Sequence, residues 1–148
     1  MADRVSASIT IGGAVSRDQY QMLCALISDE ALCVEWDGDL FTPDARVEGE
    51  PLSLYAHEVS WGSFNALEQY CCTQGIPYHR WSGACPGSFG AERIVYDGKR
   101  GPFNYDADDD DRIMLTAETI EQLGSMRAIR AYFKPSSFVV PPLAIMAT

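Results

Sequence analysis

The sequence predicts an α+β fold built on the order β-α-β-β-α-β, and three patterns carry that prediction. Val5, Ala7, Ile9 and Ile11 alternate with Arg4, Ser6, Ser8 and Thr10, the period of a half-buried strand. Tyr20, Leu23, Cys24 and Ile27 recur at i, i+3, i+4 and i+7, one face of an amphipathic helix. A second strand–helix–strand set follows over residues 52–82. Two such halves fit a ferredoxin-like arrangement, a four-stranded antiparallel sheet with two helices on one face.

The elements follow in order. Gly12-Gly13 ends the first strand, and Ser16 with Gln19 reads as a capping box for the first helix. Leu32, Val34 and Trp36 alternate with Cys33, Glu35 and Asp37 as a second strand. Residues 37–51 are a loop, and a third strand runs from Leu52 to about Val59. Ser63 is placed to cap a second helix carrying Phe64, Leu67, Tyr70 and Cys71 on one face, closed by Gly75 and Pro77. Tyr78 to Ser82 is a fourth strand and Ala91 to Asp97 a fifth; Arg112 to Leu115 is a short sixth, giving an extra β-hairpin. Thr116 and Ser125 open two C-terminal helices, stopped by Gly124 and Pro135. The reading is one α+β domain over 1–134 and an extended apolar tail over 135–148, twice broken by proline.

Composition bounds the function classes. The 148 residues hold 21 acids against 11 bases, a net charge of −10, with 47% apolar residues. A packed domain is expected, and a polyanionic surface that repels nucleic acid and anionic membrane. Basic protein surfaces become the natural partners. No run of 18 apolar residues exists, and Met1-Ala-Asp-Arg-Val5 lacks the layout of a signal peptide, so a cytoplasmic protein is expected. Five cysteines with no C-x-x-C pair are poorly spaced for disulfides or zinc, and Cys24 and Cys71, on apolar helix faces, read as reduced core thiols.

Catalytic and metal motifs fall short of their chemistry. Asp106, Asp108 and Asp110 have the D-x-D-x-D spacing of an EF-hand, but Asp111 stands where the turn needs Gly and Ala117 where a bidentate Glu is needed. Gly83-Ala84-Cys85-Pro86-Gly87 matches a nucleophile elbow with Cys for Ser, yet Pro86 lacks the N–H an oxyanion needs, and no helix follows. A small cysteine enzyme using Cys85 with His79 or His57 is one alternative. In the expected sheet the two rings share a face about 9–10 Å apart, two strand spacings. Tyr55, Trp61, Tyr78 and Trp81 read as core and sheet packing. No cofactor or metal is expected.

The acid is unevenly spread. Residues 1–74 hold 12 acids and 3 bases, while 75–148 hold 9 and 8. The uncompensated carboxylates are Asp29, Glu30, Glu35, Asp37, Asp39, Asp44, Glu48 and Glu50, beside an expected sheet edge. These form the first candidate partner surface. The run Asp106, Asp108, Asp109, Asp110 and Asp111 forms the second.

The stretches Val5 to Gly12, Gly49-Glu-Pro-Leu-Ser-Leu-Tyr-Ala-His57-Glu58 and Gly90-Ala-Glu-Arg-Ile-Val95 resemble those of small acidic proteins of bacterial plasmids and prophages. The resemblance covers most of residues 1–133 and brings no activity or catalytic residue. In size and charge the chain is also similar to anti-CRISPR and anti-restriction proteins. That similarity implies a non-enzymatic inhibitor whose carboxylates imitate nucleic acid on a nuclease or CRISPR effector. A structural alternative is an accessory protein that forms homo-oligomers through residues 135–148.

Overall fold

A computed structural model describes residues 3–146. Its elements are β1 (Arg4–Ile11), β2 (Gly13–Val15), α1 (Arg17–Asp29), β3 (Leu52–Ser60), α2 (Asn65–Gln74), β4 (Tyr78–Ser82), β5 (Ala91–Tyr96), β6 (Phe103–Ala107), α3 (Ala117–Leu123), α4 (Met126–Phe133) and β7 (Leu143–Ile145). Five strands form one antiparallel sheet in the order β3-β1-β4-β5-β6. The fold is α+β.

The alternation in β1 does what its period predicts. Ala7, Ile9 and Ile11 are fully buried against Leu23 and Ile27 of α1 and Leu67 and Cys71 of α2. Both helices therefore cover one face of the sheet. The Ser16–Gln19 capping box forms in both directions, and Gly75 closes α2 in the left-handed conformation that favours glycine. Ser63 does not cap α2. Its hydroxyl goes to Asn65 Oδ1, and the free Phe64 N–H donates instead to Glu68 Oε2 at 2.7 Å.

Two strands differ from expectation. The Leu32–Asp37 segment is not a strand. Cys33 makes a lone antiparallel bridge to Tyr55 and another to Leu40, and a tight turn reverses the chain between them. Asp37 takes a positive φ of 56° there, and Asp37-Gly38 is a turn pair that outweighs the apolar alternation before it. The sixth strand is Phe103–Ala107 rather than Arg112–Leu115, which supplies only a bridge from Ile113 to Ala107. Phe103 and Tyr105 had the alternation, and the acidic run after them masked it.

The described part of the tail docks on its own chain. β7 pairs in parallel with β2, Leu143 is fully buried, and Val140 is nearly so. A side chain on Gly12 would run into the Pro141 carbonyl, so this close approach requires glycine there.

Arg80 is the unexpected member of the interior. It is 3% exposed on the helix-facing side of β4. Its Nε donates to Glu68 Oε1 at 2.9 Å and its Nη2 to Glu92 Oε1 at 2.8 Å. Its Nη1 donates to the Gly62 carbonyl at 2.7 Å and to Ser82 Oγ at 3.0 Å. Burial alone would disfavour the charge, but the two carboxylates outweigh it and hold the guanidinium above its ordinary pKa.

Arg80→Ala strands Glu68 in the interior, and its expected cost is about 3–5 kcal/mol. Urea unfolding measures it. The double variant Arg80→Met/Glu68→Leu should lose less than the single one, because no buried charge is left unpaired. A single-variant loss below about 1 kcal/mol would contradict the network's role.

Candidate functional site

The second face of the sheet carries the alternate residues, and its β1–β3–β4 half is uncovered by helix. Ser6 and Ser8 project there from β1, Tyr55 and His57 from β3, and His79 and Trp81 from β4. On the β5–β6 side, Tyr105 packs edge-on to Tyr132 of α4, which closes that half. The open half is a cleft of about 400 Å³ lined by Ser6, Ser8, Trp36, His57, Trp81 and the 109–111 aspartates.

A β-bulge aims His57. The β1–β3 register shifts between Val5 and Ala7, so His57 and Glu58 together stand opposite Ser6, with Glu58 at a φ of 58°. Ser6 Oγ lies 2.7 Å from His57 Nδ1, and His57 Nε2 lies 3.1 Å from Asp37 Oδ1. A carboxylate only accepts, so in the neutral ring Nε2 carries the proton and Nδ1 accepts from Ser6. Trp36, at the tip of the reversing turn, folds over this group. Its ring centroid is 4.9 Å from Tyr55 and 5.2 Å from His57, and it meets Trp81 edge-on at 6.4 Å.

The opposite wall is the 108–111 loop. Asp108 organises it by accepting from the Asp110 and Arg112 N–H groups and from Arg112 Nε at 2.7 Å. Those donors pull the Asp108 carboxyl below its ordinary pKa. The Asp108 carbonyl takes the Trp81 indole N–H at 2.9 Å. Asp111 Oδ2 meets Arg93 Nη1 at 2.6 Å, while its Oδ1 is buried without a partner. Burial raises the Asp111 carboxyl against the pull of Arg93. Asp109 makes no side-chain hydrogen bond or ion pair among the described residues and is exposed on the wall.

The sequence-predicted acids fall into separate places. Glu35, Asp37 and Asp39 ride the Trp36 turn, and Asp109, Asp110 and Asp111 line the facing wall. The structure thus brings Trp36 of the 35–39 segment and the 109–111 aspartates to one cleft, with Asp37 joined to it through the lining His57. Asp29 and Glu30 end α1 and border a second groove behind His57 and Glu58. Asp44 sits in the 3-10 turn Pro43–Ala45, its carboxylate lowered in pKa by the Thr42 hydroxyl. The Glu50 carbonyl accepts from Leu143 N–H in the tail contact, with exposed Glu48 two residues before it. Asp106 is exposed on edge strand β6. Among the described residues, no group of three or more His, Cys, Asp or Glu is arranged to hold a metal ion.

The expected histidine geometry is corrected. The rings lie at opposite ends of β1, His57 beside Ser6 and His79 beside Thr10, so about 13 Å along the strand adds to the lateral spacing. Cys85 sits in the 83–90 turn, its N–H donating to the Phe89 carbonyl, and no side-chain hydrogen bond joins it to either histidine.

Trp36, Ser6 and Arg93 were missed as site residues. Ser6 and Ser8 share the polar parity of β1, which is the one sequence signal that they line a face. Tyr55 and Trp81 lie on the cleft face, whereas Tyr78 is in the core. No helix among the described residues is long and apolar enough to cross a membrane. No protein-family model, curated protein or solved structure matches the chain.

His79 supplies a pH prediction. Its Nδ1 is buried and unpartnered, and burial, followed by the nearby Arg93 charge, pushes its pKa from 6.5 down to about 4. The unfolded chain therefore binds the proton more readily. The contribution is present above pH 6.5 and is lost as pH falls from there towards 4, by up to roughly 3 kcal/mol. Denaturant unfolding at pH 7 and pH 4.5 should show a smaller pH-dependent loss in His79→Leu than in the parent. Equal losses in both would exclude His79 as the source.

Proposed function

We propose that the protein is a non-enzymatic acidic binding protein that takes a basic surface of another protein into the cleft between Trp36 and the 108–111 loop. The observation that carries this reading is that two acidic segments, about 70 residues apart in sequence, meet at one aromatic cleft, the first through Trp36 and the His57-bound Asp37 and the second through Asp109, Asp110 and Asp111. Carboxylates at the sides supply steering and a salt-sensitive on-rate. Trp36, Tyr55 and Trp81 supply the flat apolar area that anchors interfaces. The partner class is a nucleic-acid-binding machine, a nuclease or CRISPR effector whose Lys/Arg channel the carboxylates occupy in place of phosphates. This is inhibition of the anti-CRISPR or anti-restriction type, by a mobile-element-encoded protein acting in the cytoplasm.

Within this reading the β1–α1–β3–α2–β4 core is a ferredoxin-like unit whose second strand is reduced to the Cys33 bridge. Any homo-oligomer through residues 135–148 would use outward groups such as exposed Val139, since Leu143 is committed to the protein's own core.

The test is binding and inhibition across purified CRISPR effectors and restriction nucleases. Affinity for the target should fall steeply between about 50 and 300 mM salt. The triple variant Glu35→Gln/Asp37→Asn/Asp109→Asn should weaken it by about tenfold or more. Salt-independent binding, or an unchanged triple variant, would remove the reading.

One observation favours a second reading, hydrolysis: the hydrogen-bonded run Ser6–His57–Asp37 has the order of a nucleophile, base and orienting acid. On that reading Ser6→Ala abolishes turnover of an activated ester such as p-nitrophenyl acetate. Turnover equal in parent and variant excludes it.

A further inference from the structure

We infer that the cleft is a guanidinium site, built to receive one arginine side chain of the partner rather than a lysine. The inference rests on the basic-partner reading above and names the group that the cleft selects. Three features argue for it.

The first is shape. Trp36 and Trp81 stand at 89° to one another with centroids 6.4 Å apart, and Tyr55 supports the Trp36 ring at 4.9 Å. Trp36 is 41% exposed, so ring surface is available to a planar group. Guanidinium stacks flat on such a surface and is more weakly hydrated than ammonium, so less solvation is lost on entry.

The second is the acceptor set. Asp109 has no side-chain partner among the described residues, and Asp110 Oδ2 is only loosely held, 3.5 Å from Arg112 Nη2. Separate carboxylate oxygens above an aromatic wall match a fork with five N–H donors. A quaternary ammonium has no N–H to offer them, and a lysine ammonium is a point charge without a face to stack.

The third is that the same loop already binds guanidinium from within. Asp111 holds Arg93 at 2.6 Å on the sheet side, and Asp108 holds Arg112 at 2.7 Å. These contacts set the backbone of the loop and leave Asp109 turned to the cleft. The internal arginines neutralise Asp111 and Asp108 and His57 holds Asp37, so Asp109, with the loosely held Asp110 beside it, remains to meet an incoming cation.

The test uses the full chain and a tetra-arginine peptide, followed by the three tryptophan indole N–H signals in ¹H–¹⁵N NMR spectra. The Trp36 and Trp81 signals should move saturably while Trp61, outside the cleft, stays in place. A tetra-lysine peptide should bind about fivefold or more weakly. Trp36→Ala and Asp109→Asn should each weaken tetra-arginine by about fivefold, with Glu121→Gln, exposed on α3 and outside the cleft lining, as the unaffected control. Asp109 is exposed and unpaired, so its variant tests the site without challenging the fold. Equal binding of the two peptides, a shift of Trp61 alone, or indifference to both cleft variants would overturn the inference. Salt-sensitive capture of a nuclease that survives Trp36→Ala would leave the basic-partner reading standing and remove the guanidinium site. Loss of both peptide and nuclease binding in the parent would remove both.

Discussion

The structure depends on one buried guanidinium. Arg80 joins α2 through Glu68, β5 through Glu92 and the turn before α2 through the Gly62 carbonyl. A buried charge tolerates few arrangements, because each lost partner leaves several kcal/mol of desolvation uncompensated. The network therefore fixes the rotation of β4. With Arg80 held inward, strand alternation sends His79 and Trp81 to the other face. The polar interior on one side of the sheet thus determines which residues floor the cleft on the other.

The rest of the cleft is assembled by local irregularities. The bulge at His57–Glu58 turns the histidine toward Ser6. The positive φ at Asp37 folds Trp36 back over Tyr55. Asp108 ties its loop to Trp81 through its carbonyl and to Arg112 through its carboxylate. Each device is a departure from regular secondary structure, and departures of this kind commonly re-aim side chains.

This division explains what the sequence disclosed. Periodic segments were legible: β1, α1, α2 with its Gly75 terminus, and the strands at 78–82 and 91–96 all follow from burial of one face. The 32–37 segment was not, because Leu32, Val34 and Trp36 have strand parity for two reasons that the pattern cannot separate. Leu32 enters the core, while Trp36 covers the opposite face from a turn. Arg80 was illegible as a core residue, since only its long-range partners make burial tolerable. The cleft shares that difficulty. The acids at 35–39 and 108–111 were visible as charge, but their convergence is set by strand order, and Ser6 gains meaning only once the bulge brings His57 beside it.

The turns that carry these acids also sit against the two outer strands of the sheet. Cys33 exchanges N–H and carbonyl bonds with Tyr55 on the free side of β3, and Ile113 and Met114 bridge the free side of β6 at Ala107 and Asp106. Each margin of the sheet is thereby shortened as a template for another chain, with Glu58 and Asp106 placing carboxylates beside what remains. Recognition by strand addition, in which a partner's backbone extends the sheet, loses its footing on both sides. What this sheet presents at its surface is therefore set by the side chains on its open face more than by free main chain at its margins.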